Sequence, residues 1–223
     1  MNWQALALTA KLAALTSLVL MLISVPIALW LAFSQRRWKF LLEAVVGLPI
    51  VLPPTVLGLY LLMAFGSGTA AGQWYSRITG SALAFTFGGL VIASVLYSLP
   101  FAVNPIAAGF RSVDQKLIDA ARTLGVNKSK IYWRIVLPLA WPALVTGLVL
   151  SFAHTVGEFG VVLMVGGNIP GVTRTLSIDI YDQVQSLNYA SANQTALALL
   201  FFSYALLCAV YGLNRRAFAW GGH

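Results

Sequence analysis

The chain has very little charge for its length. Of its 223 residues, 9% are Asp, Glu, Lys or Arg, whereas 59% are hydrophobic. A soluble domain carries roughly 25% charged residues, so a chain this poor in them cannot cover a folded surface with polar side chains. The composition excludes a soluble enzyme, a nucleic-acid-binding module and a disordered segment, and it indicates a polytopic membrane protein.

Residues that build disulfides, metal sites and catalytic sites are equally scarce. The only cysteine is Cys208, which excludes an intrachain disulfide. His154 and Glu158 lie four residues apart, but they have no third ligand nearby, so no metal site is expected. The sequence contains no H-E-x-x-H pair, no G-x-x-x-x-G-K-[ST] phosphate loop and no evident Ser/His pairing. We therefore predict no catalytic residues and no cofactor bound by this chain.

What the chain has in abundance is long apolar runs. A helix needs about 20 apolar residues to cross the hydrocarbon layer of a membrane. Runs of this kind lie near 7–33, 41–65, 85–109, 135–165 and 193–213, and a polar segment at 110–134 separates the third run from the fourth. The sequence therefore predicts an all-α integral membrane protein with about five spans in one transmembrane domain over 1–223.

The basic residues predict the orientation of these spans. Cytoplasmic loops carry an excess of Lys and Arg. If the N-terminus is outside and the C-terminus is cytoplasmic, 11 of the 14 basic residues lie inside, and the opposite orientation leaves only three there. We therefore predict the first orientation, with the N-terminus outside. The inner residues are then Arg36, Arg37, Lys39, Arg111, Lys116, Arg122, Lys128, Lys130, Arg134, Arg215 and Arg216.

The polar segment 110–134 predicts a short amphipathic helix. Leu117, Ile118, Ala121 and Leu124 recur at helical spacing, with charged residues on the other faces. Gly125 is a natural end for such a helix, because glycine tolerates the left-handed conformation that follows a helix end. The chain would then return to the membrane near Ile135.

This segment resembles the loop motif of bacterial ABC-importer permeases. The motif has Glu-Ala-Ala, then Gly, then Ile-x-Leu-Pro at fixed intervals, and the only departure here is Asp119 in place of Glu. In the family the loop forms a coupling helix that docks on a cytoplasmic ATPase. The alternative is a helix that lies on anionic lipid. The resemblance implies that the ATPase-coupling residues are Asp119, Ala120, Ala121, Arg122, Gly125, Ile135, Leu137 and Pro138.

Two further segments are candidates for the translocation path or its gate. Glu158 lies within the fourth predicted span, between Gly157 and Phe159-Gly160, and an ionisable residue at membrane depth is costly and usually functional. Pro53, Pro54 and Thr55 lie within the second predicted span, where the prolines free backbone carbonyls and predict a kink. The alternative for both segments is a purely packing role.

The stretch 166–176 extends the resemblance to the oxyanion branch of the permease family. Members of that branch, which carry molybdate, tungstate or sulfate, have Gly-Glu-Phe-Gly followed by Asn-Ile-Pro-Gly-x-Thr, and the chain is most similar to the molybdate permeases. The resemblance implies that an outer segment meets a substrate-binding protein. Asn168, Pro170, Thr173 and Arg174 are the candidate contacts, with a solvated connector as the alternative. We also predict a short outer helix over 176–188.

The family further implies a function and a set of partners. We expect a type I ABC-importer permease of the bacterial inner membrane that takes an oxyanion, with molybdate as the first candidate, from an external binding protein. A homodimer would supply enough helices for a path on its two-fold axis, and two ATPase subunits would hold the ATP and Mg. The alternatives are a sulfate/thiosulfate or tungstate permease and, in another class, a gradient-driven secondary transporter.

Overall fold

The computed structural model describes residues 2–220, apart from the side chains of 209, 210 and 213–220, which include the predicted inner residues Arg215 and Arg216. Within this part of the chain all regular structure is helical, which confirms the predicted all-α fold. The helices are α1 (Trp3–Phe33), α2 (Lys39–Val51), α3 (Pro54–Ala64), α4 (Ala70–Thr79), α5 (Phe87–Arg111), α6 (Gln115–Thr123), α7 (Lys128–Ile131), a π-helical turn (Tyr132–Val136), α8 (Leu137–Leu139), α9 (Trp141–Gly157), α10 (Gly160–Gly166), α11 (Leu176–Gln185) and α12 (Tyr189–Trp220).

Among the described residues, three helices are long and apolar enough to cross a membrane as they stand. They are α1, α5 and the Tyr189–Cys208 part of α12. Two bent pairs, α2 with α3 and Lys128–Leu139 with α9, raise the number to five if each pair is one span. These five units match the five predicted apolar runs in order, but the second and fourth are not straight helices.

The second predicted span, 41–65, is divided into two helices by Pro53 and Pro54. A residue that precedes proline is pushed out of the helical region. Leu52 and Pro53 both precede a proline, and both are extended, with ψ values of 135° and 136°. The axes of α2 and α3 consequently differ by 111°. The predicted kink is therefore a sharp turn of the chain at Leu52 and Pro53, which we call the elbow between α2 and α3.

The fourth predicted span, 135–165, is interrupted at two places. Lys128–Leu139 meets α9 at 68°, with Pro142 in the first turn of α9, where its missing N–H is tolerated. The helix then ends at Gly157 and resumes at Gly160. The fourth predicted span is therefore divided into three helical pieces, Lys128–Leu139, α9 and α10.

The centre of the bundle is formed by α1, α5 and α9. Small residues let these helices approach closely, as is common in membranes. A Cβ atom on Gly109 of α5 would overlap the Cβ of Ala143 of α9, and one on Gly147 of α9 would lie 3.0 Å from the carbonyl oxygen of Ala102. The largest fully buried side chain is Phe110, which lies where α5 meets the loop to α6.

Helix α12 contributes little to this centre. Its large side chains, such as Leu200, Phe201 and Tyr204, are exposed. An exposed apolar surface of this kind is stable against lipid or another subunit.

Candidate functional site

The predicted coupling segment folds as a closed hairpin around α6. The Asp114 side chain caps the helix start by accepting the Lys116 N–H at 2.9 Å. At its end Gly125 has a φ of 74°, and the Val126 N–H donates to the Ala121 carbonyl at 3.0 Å. The left-handed glycine and this bond form a typical helix C-terminus. The predicted stop at Gly125 is therefore confirmed.

The buried face of α6 is narrower than the sequence pattern predicts. Ile118 and Ala121 are buried in a cluster with Ile131 and Val136, where the chain returns to the membrane. Leu117 and Leu124 are 49% and 83% exposed, so only two of the four residues of the apolar pattern are buried. The two leucines lie seven residues apart on a neighbouring face, and they leave an apolar ridge on the outside of the hairpin.

The other predicted coupling residues lie on two sides of this hairpin. Asp119 is exposed and pairs with Arg122 at 3.0 Å, while the Gln115 amide donates to it at 3.1 Å. Ala120 is exposed beside them. Ile135 and Leu137 pack partly buried against the cluster that holds Ile118 and Ala121, whereas Pro138 is exposed. The structure thus brings both halves of the motif to one end of the molecule.

The two candidate path segments, predicted separately, are in contact. A Cβ atom on Gly160 would lie 2.7 Å from the Pro54 Cβ and 3.6 Å from the Thr55 nitrogen. A Cβ atom on Gly58 would lie 2.8 Å from the Met164 Cβ. The glycine backbone of each helix therefore packs against a side chain of the other. The elbow between α2 and α3 thus contacts the break between α9 and α10.

Glu158 lies in that break and not within a continuous helix. Its backbone is extended (φ −66°, ψ 132°), its N–H donates to the Thr155 carbonyl at 3.3 Å, and its own carbonyl accepts the Ser177 hydroxyl at 2.7 Å. Neither Gly157 nor Gly160 adopts the left-handed backbone conformation, so the break does not depend on the conformational freedom of glycine.

The Glu158 carboxyl group is buried and lacks a hydrogen-bond partner. The residue is 3% exposed, and neither carboxyl oxygen makes a well-formed hydrogen bond. The Ser94 hydroxyl and the Tyr97 ring of α5 are its polar neighbours, and the Ser94 hydroxyl is itself without a well-formed bond. Unpaired buried polar groups are costly and rare, and they point to water, a ligand or a second conformation of the site.

His154 is a packing residue. Its Nδ1 lies 2.9 Å from the Ser98 hydroxyl, its ring stacks on Phe101 at 3.9 Å, and Tyr97 lies at 4.8 Å. Its hydrogen bond therefore goes to α5 and not to Glu158. In the described part of the chain no group of three His, Cys, Asp or Glu side chains is placed to hold a metal ion.

The predicted outer loop is held by hydrogen bonds and an ion pair between its own residues and α11. Asn168, with a φ of 58°, donates to both carboxylate oxygens of Asp182 at 3.0 and 2.9 Å and accepts from Arg174 Nε at 2.7 Å. Arg174 also pairs with Asp182 at 3.3 Å. The charge of Arg174 is therefore balanced by Asp182 of α11. Pro170 lies exposed at the tip of the loop.

Thr173 closes this loop from the inside. It is fully buried, its hydroxyl donates to the Gly166 carbonyl at 2.7 Å, and it accepts the Ile169 N–H at 2.9 Å. A buried hydroxyl that satisfies two backbone groups fixes the turn between α10 and α11. Thr173 is therefore a structural residue of the loop, with its side chain turned away from any external partner.

Helix α11 is the predicted outer helix, and it is held to the start of α1. The Asn2 amide donates to the buried Asp179 carboxylate at 2.8 Å, and the Leu176 N–H donates to the Thr9 hydroxyl at 2.9 Å. The sequence analysis identified neither Asp179 nor Ser177 as a contact residue. No local pattern signals these contacts, because Asn2 and Asp179 are 177 residues apart in sequence.

Comparison with known proteins identifies relatives over most of the chain. Residues 24–219 match the family model described as binding-protein-dependent transport system inner membrane component. The molybdenum transport system permease protein ModB of Azotobacter vinelandii is 46% identical over 95% of this chain and 93% of its own length. The sulfate transport system permease protein CysT of Escherichia coli is 31% identical over 92% of this chain and 76% of its own length.

The fold also has a counterpart among solved structures. A chain of a bacterial ABC transporter involved in the import of the acidic polysaccharide alginate superimposes with a TM-score of 0.76, covering 97% of this chain and 80% of that one. The two sequences are 18% identical, so this likeness concerns the fold alone.

Proposed function

Because the chain belongs to the family of binding-protein-dependent transport system inner membrane components, we propose that it is the permease subunit of an ATP-driven importer of molybdate. The assignment of molybdate as the substrate rests on the 46% identity, over nearly the full length, to a molybdenum transport permease. A sulfate permease matches at 31%, which makes sulfate the second candidate and leaves tungstate, a close chemical analogue of molybdate, as the third.

The hairpin around α6 is the proposed site of ATPase coupling. It is exposed at one end of the bundle, and Leu117 and Leu124 form an apolar ridge that no described residue covers. Asp119 and Arg122 stand beside that ridge. An apolar centre with a charged rim suits the surface of a soluble subunit. ATP and Mg would be held by that subunit, and movement of α6 would reach the membrane through the cluster that contains Ile118 and Val136.

The orientation follows from the basic residues together with the contacts at each end. Asn2 pairs with α11, whereas Phe33 at the other end of α1 packs against Tyr132 at 5.6 Å. The end that holds Tyr132 and α6 also carries most of the basic residues, and basic segments remain in the cytoplasm. We therefore place the N-terminus and α11 outside and α6 inside.

The proposed path runs beside the contact of Pro54 with Gly160 and is completed by a second copy of the chain. The exposed apolar faces of α3, around Tyr60 and Met63, and of α12 support a dimer, since they need a partner or lipid. Among the described residues no Lys or Arg pairs with Glu158, so a tight cationic cage for the anion is not expected. Selectivity would then rest with an external binding protein that meets the loop at 167–175.

Reconstituted transport tests this function. The chain is incorporated in liposomes with its ATPase and binding protein, and uptake of labelled molybdate is measured with ATP, without ATP and in competition with sulfate and tungstate. We expect uptake that requires both ATP and the binding protein. Unlabelled molybdate should compete with the labelled anion better than sulfate does. Uptake by the chain alone under an ion gradient would instead identify a secondary transporter, and preference for sulfate would identify the second candidate.

A further inference from the structure

A groove of about 330 Å³ opens between α1 and the Lys128–Leu139 segment. On α1 it is lined by Val25 and Leu29, which lie one helical turn apart. At 1.5 Å per residue they lie about 12 and 6 Å from the end of α1 at Phe33, so the groove reaches the depth of lipid acyl chains. The opposite side is lined by Ser129, Tyr132, Trp133 and Leu137.

The segment that lines one side of this groove is basic and contains no acidic residue, so basic side chains flank the mouth of the groove. Lys128, Lys130 and Arg134 are exposed, and none of them is in an ion pair with another described residue. Residues 126–141 contain no Asp or Glu. Because Phe33 packs against Tyr132, the loop after α1 lies at the same end and adds Arg36 and Arg37.

Aromatic residues place this mouth at the level of lipid headgroups. Trp133 is 70% exposed and Trp141 is 62% exposed, on either side of the 68° bend that follows Lys128–Leu139. Tryptophan side chains gather at membrane interfaces, where the ring contacts apolar chains and the indole N–H meets polar groups. A segment that bends away from its span at this point lies along the membrane surface.

We propose that this groove binds an anionic phospholipid of the inner leaflet. One acyl chain lies in the groove against Val25 and Leu29, and the phosphate-bearing headgroup meets Lys130 and Arg134. Basic pockets beside transmembrane helices on the cytoplasmic side attract such headgroups. A soluble subunit does not fit the groove, because Val25 lies below the headgroups. The proposal uses the orientation given above, but it does not depend on which solute is carried.

Native mass spectrometry of the full-length chain in detergent tests this site. The protein is titrated with phosphatidylglycerol and with phosphatidylcholine of the same acyl chains. We expect tighter binding of phosphatidylglycerol, and a K130Q/R134Q variant should bind it about fivefold more weakly for each charge removed. Binding of phosphatidylcholine should not change. The matched control is K11Q/R77Q, which removes the same charge at the opposite membrane face and should leave both affinities unaltered.

A second variant tests the groove without changing charge. Leu29→Trp fills the space beside Val25, and it should weaken the binding of both lipids. The proposal is overturned if K130Q/R134Q retains full phosphatidylglycerol binding, if it loses both lipids equally, or if Leu29→Trp leaves both unchanged. If K130Q/R134Q instead impairs only the co-purification of an ATPase subunit, the basic residues belong to that interface and not to a lipid site.

Discussion

Gly160 packs directly on Pro54, and a Cβ atom at position 160 would lie 2.7 Å from the Pro54 Cβ. The pyrrolidine ring cannot rotate away as a flexible side chain would. The contact joins two breaks in the helical structure, the elbow between α2 and α3 and the gap between α9 and α10. The position of one break therefore depends on the other.

Gly160→Ala should destabilise the protein by about 1–3 kcal/mol, because the added methyl group has no space beside Pro54. Gly157→Ala is the matched control, since a Cβ atom there meets nothing within 4 Å. Thermal unfolding in detergent compares the two, and only Gly160→Ala should lower the unfolding temperature. Equal unfolding temperatures would show that α3 and α10 are not in tight contact.

Glu158→Gln should separate function from packing. The amide has nearly the same shape and avoids burying a carboxylate without partners, so thermal stability should be equal or higher. If Glu158 takes part in gating, its carboxyl group stabilises the transition state of the conformational change. Losing about 1.4 kcal/mol of that stabilisation would reduce the transport rate about tenfold. Reconstituted uptake measures the rate, and titration measures the affinity of the binding protein for its anion, which should not change. A less stable variant with normal uptake would assign Glu158 to packing alone.

Gly125→Val should uncouple the ATPase. The φ of 74° is unfavourable for any residue with a Cβ and worst for a β-branched one, at a cost of about 1–2 kcal/mol. There is free space around the position, so the effect would come from the backbone alone. Substrate-stimulated ATP hydrolysis by the assembled importer should fall severalfold, while Gly125→Asn, which tolerates this conformation better, should retain most of it. Full stimulation in Gly125→Val would contradict the role of α6.

Thr173→Val should loosen the outer loop. The substitution keeps the shape of the side chain but removes both hydrogen bonds, at a cost of about 1–3 kcal/mol. Hydrogen exchange at the Ile169 amide should accelerate, because that N–H loses its acceptor. Thr173→Ser retains the hydroxyl and should leave the exchange close to that of the original protein. Similar protection of Ile169 in both variants would exclude this arrangement of the loop.

Reporter fusions should establish the orientation. A reporter placed after residue 216 is expected to be cytoplasmic, and one inserted at 67–69, between α3 and α4, is expected to be outside. These expectations follow from the excess of basic residues at the end that carries α6. Reversed signals at the two positions would overturn the orientation and, with it, the inward placement of the coupling hairpin.

The apolar runs and the turn residues predicted much of this fold because their signals are local. Gly125 and the outer helix were found in this way. The 111° elbow was expected only as a kink, since Pro53 and Pro54 specify extended backbone but not the direction of the next helix. Helix α4 and the π-helical turn were not predicted.

The buried contacts of the candidate site were beyond local patterns altogether. The bonds between Asn2 and Asp179 and between Ser177 and Glu158 join distant parts of the chain. They depend on how α11 sits on the bundle, which hydrophobic periodicity does not determine. The same holds for the meeting of Pro54 with Gly160, whose segments were each singled out for separate reasons.

Ser177 lies in the first turn of α11, and its hydroxyl holds the carbonyl of Glu158. The same helix is fastened to the beginning of α1 through Asp179 and to the loop at 167–175 through Asp182. A tilt of α11 would therefore displace three places together: the start of α1, the loop at 167–175 and the backbone at Glu158. A force that a docked protein exerts on α11 would act directly on the unwound backbone at Glu158 through the Ser177 hydroxyl.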